Sequence, residues 1–204
     1  RFAAIALVLL LSGCATFSRQ EEPAPSSTTS PQPRSAPGKG AYYKDDGPGA
    51  NPPPDLAAIA DAVPKPEPLH RFANRPYQVF GKDYVPLAYA VPNAAPFRQT
   101  GIGSWYGRRF HGAPTSSGEP YDMYAMTAAH PTLPIPSYAR VTNLANGRSV
   151  VVRINDRGPF HADRIIDLSY TAAWKLGYVE AGSARVEVES VVAGAMRPVQ
   201  EAKA

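Results

Sequence analysis

From Gly101 to Val192 the apolar residues fall in short runs, each closed by Gly, Asn, Asp or Pro. That punctuation is the strongest restraint on what the chain can fold into, because short apolar runs between turn residues read as strands. The candidate strands are Gly103–Tyr106, Tyr124–Ala128, Tyr138–Asn143, Ser149–Ile154, Ile165–Leu168 and Arg185–Val192. Asn146-Gly147 lies between the third and fourth and is a strong hairpin signal, since both residues tolerate the positive φ of a tight turn. One helix is expected, with Ser169 as its cap, Leu176 near its end and Gly177 as its stop. The sum is a compact, mainly β domain over 101–193 with six strands and one short helix. Cys14 is the only cysteine, so no disulfide within the chain can brace this domain and its stability must come from packing.

Twelve of the 23 prolines lie between Ala15 and Pro68, among Ser, Thr, Gly and Ala. Such a stretch cannot bury enough apolar surface to fold alone, and 14–68 reads as a disordered tether. Within it, Asp55 is positioned to cap one or two helical turns over Pro54–Ala62, too short to persist without a partner. Fully extended, the tether reaches on the order of 180 Å. Positions 69–100 read as an extension packed on the β domain, with two short aromatic-rich strands around Gly81-Lys82 inside Tyr77–Ala90 and the turn type left open. Positions 194–204 read as a disordered tail. The formal charge of +4 is scattered among Asp and Glu, which argues against nucleic acid as a partner and is compatible with an anionic polymer.

At the N-terminus, Arg1 precedes an apolar run from Phe2 to Leu11, followed by Ser12, Gly13 and Cys14. The run is too short to span a bilayer. Leu11-Ser12-Gly13-Cys14 resembles the lipobox of bacterial lipoproteins, which implies a signal segment over 1–13, cleavage before Cys14 and lipidation of its thiol. Ala15 after the cysteine implies an outer-membrane rather than an inner-membrane address. The membrane is then a partner through the lipid anchor, since acyl chains contribute about 0.8 kcal/mol per buried methylene. The competing reading is a buried core helix with an ordinary cysteine.

Three stretches, GSWYGRRFHGAPTSSGEPYDMYAMTAAHPTLP, RVTNLANGRSVVVRINDRGPF and RIIDLSYTAAWKLG, together resemble the rare lipoprotein A family over about 90 residues. The resemblance implies a six-stranded double-psi β-barrel related to expansin and barwin folds. It also implies an envelope protein, monomeric and without a cofactor, that acts on peptidoglycan glycan strands as a lytic transglycosylase. Septal targeting, which many members owe to a further domain, is not carried over. Internal and terminal cleavage both stay open.

Asp156 opens the stretch Asp156-Arg157-Gly158-Pro159-Phe160 directly after the apolar strand and Asn155. If the strand's alternation persists, Asp156 shares the side of Val152 and Ile154, which favours a neutral acid, whereas Arg153 and Arg157 favour the carboxylate. A bare turn role is the alternative. The family motif implies that Asp156 is the general acid, with Glu119 and Asp122 as further carboxylates from the Ser117–Asp122 loop. Glu119 orients the sugar or stabilises charge, and the opposite assignment is open. His130 either orients Asp156 or closes a strand end. Glycoside cleavage needs a proton on the leaving oxygen and stabilisation of an oxocarbenium-like centre; in transglycosylation the sugar's own C6 hydroxyl attacks, so no metal or covalent enzyme intermediate is required.

Trp105, Tyr106, Tyr121, Tyr124 and Phe160 are candidates to stack on sugar, or else to fill the core. Arg153 either meets substrate or neutralises buried carboxylates. His111, His130, His161, Asp122 and Asp163 offer no HExxH or other metal-ligand spacing, and no GxSxG elbow is present. Two further readings stand beside the enzyme. One is a glycan-binding barrel without turnover, and the other an envelope protein that docks a partner through the aromatic hairpin Tyr77–Tyr89.

Overall fold

The computed structural model describes residues 47, 49, 52–87 and 96–192; Cys14, the expected signal segment and the expected tail lie outside the described residues. The elements are β1 (Tyr77–Val79), β2 (Lys82–Tyr84), β3 (Arg98–Trp105), β4 (Thr127–Ala129), β5 (Ser137–Asn143), β6 (Ser149–Asp156), β7 (Arg164–Leu168), α1 (Tyr170–Leu176) and β8 (Ser183–Val191). Six strands close into a barrel in the order β3-β7-β4-β6-β5-β8, as expected, with β1 and β2 forming a separate hairpin. Two neighbouring pairs, β3 with β7 and β4 with β6, run parallel, and the other pairs are antiparallel.

The alternation read from the sequence sorts side chains as a closed barrel requires. Val150, Val152 and Ile154 of β6, Ile166 and Leu168 of β7, and Val186 and Val188 of β8 meet in one buried cluster. At Gly103 a Cβ would lie 2.9 Å from the Val186 Cγ2, so only glycine lets β3 approach that closely. Two strand starts depart from expectation by three residues or more, and the other strand boundaries by no more than two. β3 starts at Arg98 rather than Gly103, because β8 must be paired along its length: Arg98 faces Glu189 and Ser104 faces Ser183. Polar Arg98–Gly101 carries no apolar alternation to announce this. β4 starts at Thr127 rather than Tyr124, since the Asp122 Oδ1 accepts the Tyr124 N–H at 2.9 Å and holds that stretch in a turn.

Helix α1 has the expected limits. The Ser169 Oγ accepts the Ala172 N–H, and Gly177 ends the helix at φ 78°. Asn143 and Asn146 donate their Nδ2 to the Leu176 carbonyl at 3.0 and 2.9 Å, satisfying an acceptor left over at the helix end.

Composition placed all of 14–68 in the tether, but from position 52 the described chain lies on the barrel. Leu56 is buried in the core cluster, with Ile59 and Ala62 packed against it. The Asp55 Oδ1 accepts from the Ala57 and Ala58 amides and makes a single turn rather than a helix. The reason for docking is an open strand edge. The short β4 meets β6 only from Arg153 onward, and at Val151 its place is taken by the Asp61 Oδ2, which accepts the Val151 N–H at 2.8 Å, and by the Ala62 N–H, which donates to the Val151 carbonyl at 3.0 Å. Further along, Asn74 brackets Ile135, accepting its N–H at 2.8 Å and donating to its carbonyl at 2.7 Å. The hairpin β1–β2 turns at Phe80 and Gly81, with φ 50° and 75°, the sign pattern of a type I′ turn.

Candidate active site

Four strands bring one residue each into a row across the barrel: Ala129 of β4 is paired with Asp156 of β6 and with Asp167 of β7, and Asp167 is paired with Ser104 of β3. The row borders a cleft of about 300 Å³ that both aspartates line. Its other lining is largely aromatic, from Trp105, Tyr106, Phe110, Tyr121, Phe160 and the hairpin-tip Phe80, with Arg157, His161 and Arg164 as basic groups. A register shift between Ala128 and Ala129 puts Asp156, not Asn155, opposite Ala129, and such an irregularity re-aims a side chain at a strand end.

Asp156 is held by one oxygen. Its Oδ1 accepts the Ser116 N–H at 2.8 Å, the Ser116 hydroxyl at 2.7 Å and the Arg157 N–H at 2.7 Å. Ser116 is in place because its loop docks on the end of β6, where the Ser117 N–H donates to the Asn155 carbonyl at 3.1 Å. Among the described residues Oδ2 of Asp156 makes no hydrogen bond, which leaves it as the oxygen available to a ligand.

The other expected carboxylates do not line the cleft. Glu119 is paired with Arg153 at 2.7 Å and also accepts from the Asn155 amide, and the Arg153 hydrogen bond holds its carboxyl below the ordinary glutamate value. A group held ionised in this way is a poor proton donor. Arg153 pairs with carboxylates, though not with buried ones: it bonds the half-buried Glu67 with Nε and Nη2, both at 2.9 Å, as well as the exposed Glu119. Asp122 is exposed and serves the turn at Tyr124.

His130 lies in the core, fully buried, and does not bond the Asp156 side chain. Its Nδ1 accepts the Thr132 and Leu133 amides at 3.1 and 2.9 Å, the strand-closing alternative. Burial, with Arg157 adding to it, pushes its pKa down to about 3. A histidine depressed in the fold stabilises it fully above its ordinary value near 6.5 and loses that contribution as pH falls toward 3. Urea unfolding should therefore cost about 2 kcal/mol less at pH 5 than at pH 7, and His130→Asn, which keeps a local acceptor, should flatten that dependence.

Among the aromatic candidates, Trp105 is chiefly core: it is 3 % exposed, and its Nε1 donates to the Val179 carbonyl at 3.2 Å. Tyr106 and Tyr121 stack with centroids 3.9 Å apart, and the Tyr121 hydroxyl donates to the Tyr106 carbonyl. Phe160 is braced edge-on by Tyr77 and Tyr84 of the hairpin. Tyr124 packs against Tyr170 and His111, away from the cleft lining. Among the described residues, no three of the His, Cys, Asp and Glu side chains cluster closely enough to hold a metal ion.

Reading the sequence missed Ser116, Phe80, Phe110, Arg164 and Asp167. The Ser104 hydroxyl donates to the Asp167 Oδ1 at 2.5 Å, and the Arg164 Nη1 bonds the same oxygen at 3.0 Å. Burial raises the Asp167 carboxyl above the ordinary aspartate value even against the Arg164 charge.

Residues 98–188 match the family model described as lytic transglycolase. The chain is 60% identical over 146 residues to the endolytic peptidoglycan transglycosylase RlpA of Neisseria meningitidis serogroup B, a match covering 72% of this chain and 59% of that protein. Over the barrel the chain is thus similar to the rare lipoprotein A proteins. The RlpA proteins of Pseudomonas aeruginosa UCBPP-PA14 and Vibrio cholerae are 58% and 52% identical, over 67% and 77% of this chain. The matches span 59%, 39% and 58% of these three relatives. The solved Streptomyces papain inhibitor is similar at 25% identity and a TM-score of 0.37, over 48% of this chain and 96% of its own. The family match spans both faces of the site, from β3 through Ser116 and Asp156 to Asp167, whereas Phe80 and the hairpin precede it.

Proposed function

We propose that this protein is a lytic transglycosylase of the rare lipoprotein A family that cleaves the bond between N-acetylmuramic acid and N-acetylglucosamine in peptidoglycan glycan strands. The observation that carries this reading is Asp156, with one oxygen saturated by three donors and the other left for a ligand in an aromatic cleft. A proton on Asp156 resides on Oδ2, since Oδ1 is occupied by donors. It passes to the glucosamine O4 as the C1–O4 bond breaks. The muramyl C6 hydroxyl attacks C1, and its proton leaves to the carboxylate, restoring the acid and closing a 1,6-anhydro ring. The named activity of the relatives supports the same reaction class.

Aromatic faces hold the sugar rings. Phe80 is 89 % exposed at the hairpin tip, and Phe110 flanks Tyr106 with centroids 6.0 Å apart. Phe80→Ala should raise KM for glycan strands about threefold to tenfold, the size of one lost stacking contact, with kcat unchanged. An unchanged KM would remove Phe80 from the site.

The envelope is the matching location, with Cys14 lipidated and the protein held monomeric at the periplasmic face of the outer membrane. The stretch from Cys14 to the first packed residues near 52 reaches on the order of 120 Å if extended, enough to separate barrel and membrane. The test of function is to incubate the protein with intact and with peptide-stripped glycan strands. Release of soluble fragments, greater from stripped strands, is expected; retention on both substrates without fragments would mean a glycan-binding barrel instead.

A further inference from the structure

Asp167 shares the cleft with Asp156 but has no part in the single-carboxyl mechanism above. It is displaced from Asp156 by one strand on each side of Ala129, which places the two Cα atoms roughly 10 Å apart. Two aspartates with Cα atoms that far apart on one cleft can both address the face of a sugar from which O4 leaves and O6 attacks, and so divide acid and base work between two residues. The residue between them is alanine, so no side chain of size fills the gap. Like Asp156, Asp167 is held by one oxygen only: Oδ1 takes Ser104 and Arg164, and among the described residues Oδ2 has no hydrogen bond. Arg164 also donates to the Ser104 hydroxyl at 2.6 Å, so the three side chains brace one another.

Building on the transglycosylase reading, we infer that Asp167 is a second catalytic carboxyl group: in place of Asp156 in the single-carboxyl scheme, it is the base that receives the proton of the attacking C6 hydroxyl, while Asp156 delivers one to the leaving oxygen. The steps balance. The C1–O4 bond breaks as O4 takes the Asp156 proton, the C1–O6 bond forms as O6 loses its proton to Asp167, and exchange with solvent returns one proton to Asp156 and removes one from Asp167. Before the bond breaks Asp167 is a carboxylate beside Arg164, and its charge also opposes the positive charge that develops at C1. Burial strengthens it as a base relative to an exposed aspartate. The charged or titratable groups around it are Arg164 on its own strand, His161 before that strand, Asp156 on β6, Tyr106 after β3 and Tyr178 after α1.

The test is the pH dependence of 1,6-anhydro product formation from peptide-stripped strands. Because the base must be ionised, its loss of activity appears on the acidic side. Asp167→Asn should lower kcat by about 10²-fold or more with KM little changed, and the acidic limb should disappear. Ser104→Ala removes a donor to the carboxylate while leaving Asp167 in place, and should move the acidic limb to higher pH. If Asp167→Asn cleaves at the parent rate with the parent profile, the assignment is overturned. If that variant does not fold, an unshifted acidic limb in Ser104→Ala overturns it instead. Failure of the parent protein itself to form anhydro ends overturns the transglycosylase reading, and this one with it.

Discussion

Asp156→Asn should abolish glycan cleavage, with kcat falling about 10²- to 10⁴-fold, while binding to the strands persists. The size of the effect follows from what the substitution keeps. The asparagine Oδ1 can still accept from the Ser116 amide, the Ser116 hydroxyl and the Arg157 amide, so the end of β6 and the loop docked on it should stay in place. What changes is the group on the cleft side, where an amide replaces an oxygen that can give up a proton and take one back. Near-parent stability and near-parent retention on glycan, together with the loss of fragments, would separate proton transfer from folding. A variant that folds and cleaves at the parent rate would remove Asp156 from the chemistry.

Arg157→Ala should cost about 3 kcal/mol or more of folding stability, a large effect for one substitution. The guanidinium joins three segments. It donates to the Ala73 carbonyl through Nε and Nη2 at 3.1 and 3.0 Å and to the Asn74 Oδ1 at 3.0 Å, and Nη1 donates to the His130 and Leu133 carbonyls at 3.0 and 2.5 Å. Truncation would leave those acceptors without their donor beneath the 70–75 segment. Urea denaturation gives the cost, and limited proteolysis gives its location, with faster cleavage between His70 and Arg75. The exposed Arg185→Ala serves as the control, expected within about 0.5 kcal/mol of the parent. Equal stability of the two variants would contradict the role given to Arg157. Because Arg157 adjoins Asp156 and lines the cleft, its loss should also lower activity.

The contrast between Asp156 and Asp167 marks what the sequence makes legible. Asp156 ends an apolar strand whose alternation points it toward the barrel mouth, and the family motif singles it out. Asp167 sits in Arg-Ile-Ile-Asp-Leu-Ser, where it reads as the lead-in to a helix. Its chemistry depends on Ser104, which a parallel strand pairing brings beside it, and parallel register has no local signal in the chain. Local signals were reliable where the interaction itself is local, as at Ser169, Gly177 and Asn146-Gly147. The docking of Leu56, Ile59 and Ala62 was hidden by the prolines around them, although their three-residue spacing was in view. Glu119 and Arg153 lie far apart in sequence, and their pairing shows why a carboxylate in a family motif need not face the cleft.

In the proposed reaction the cleft breaks glycan strands by intramolecular attack. Its most direct measurement is mass spectrometry of the fragments released from peptide-stripped strands in water enriched in heavy oxygen. The mechanism predicts fragments ending in 1,6-anhydro-N-acetylmuramic acid with no heavy oxygen incorporated at the cut. Reducing ends carrying solvent oxygen would mean that water attacks, and would contradict it.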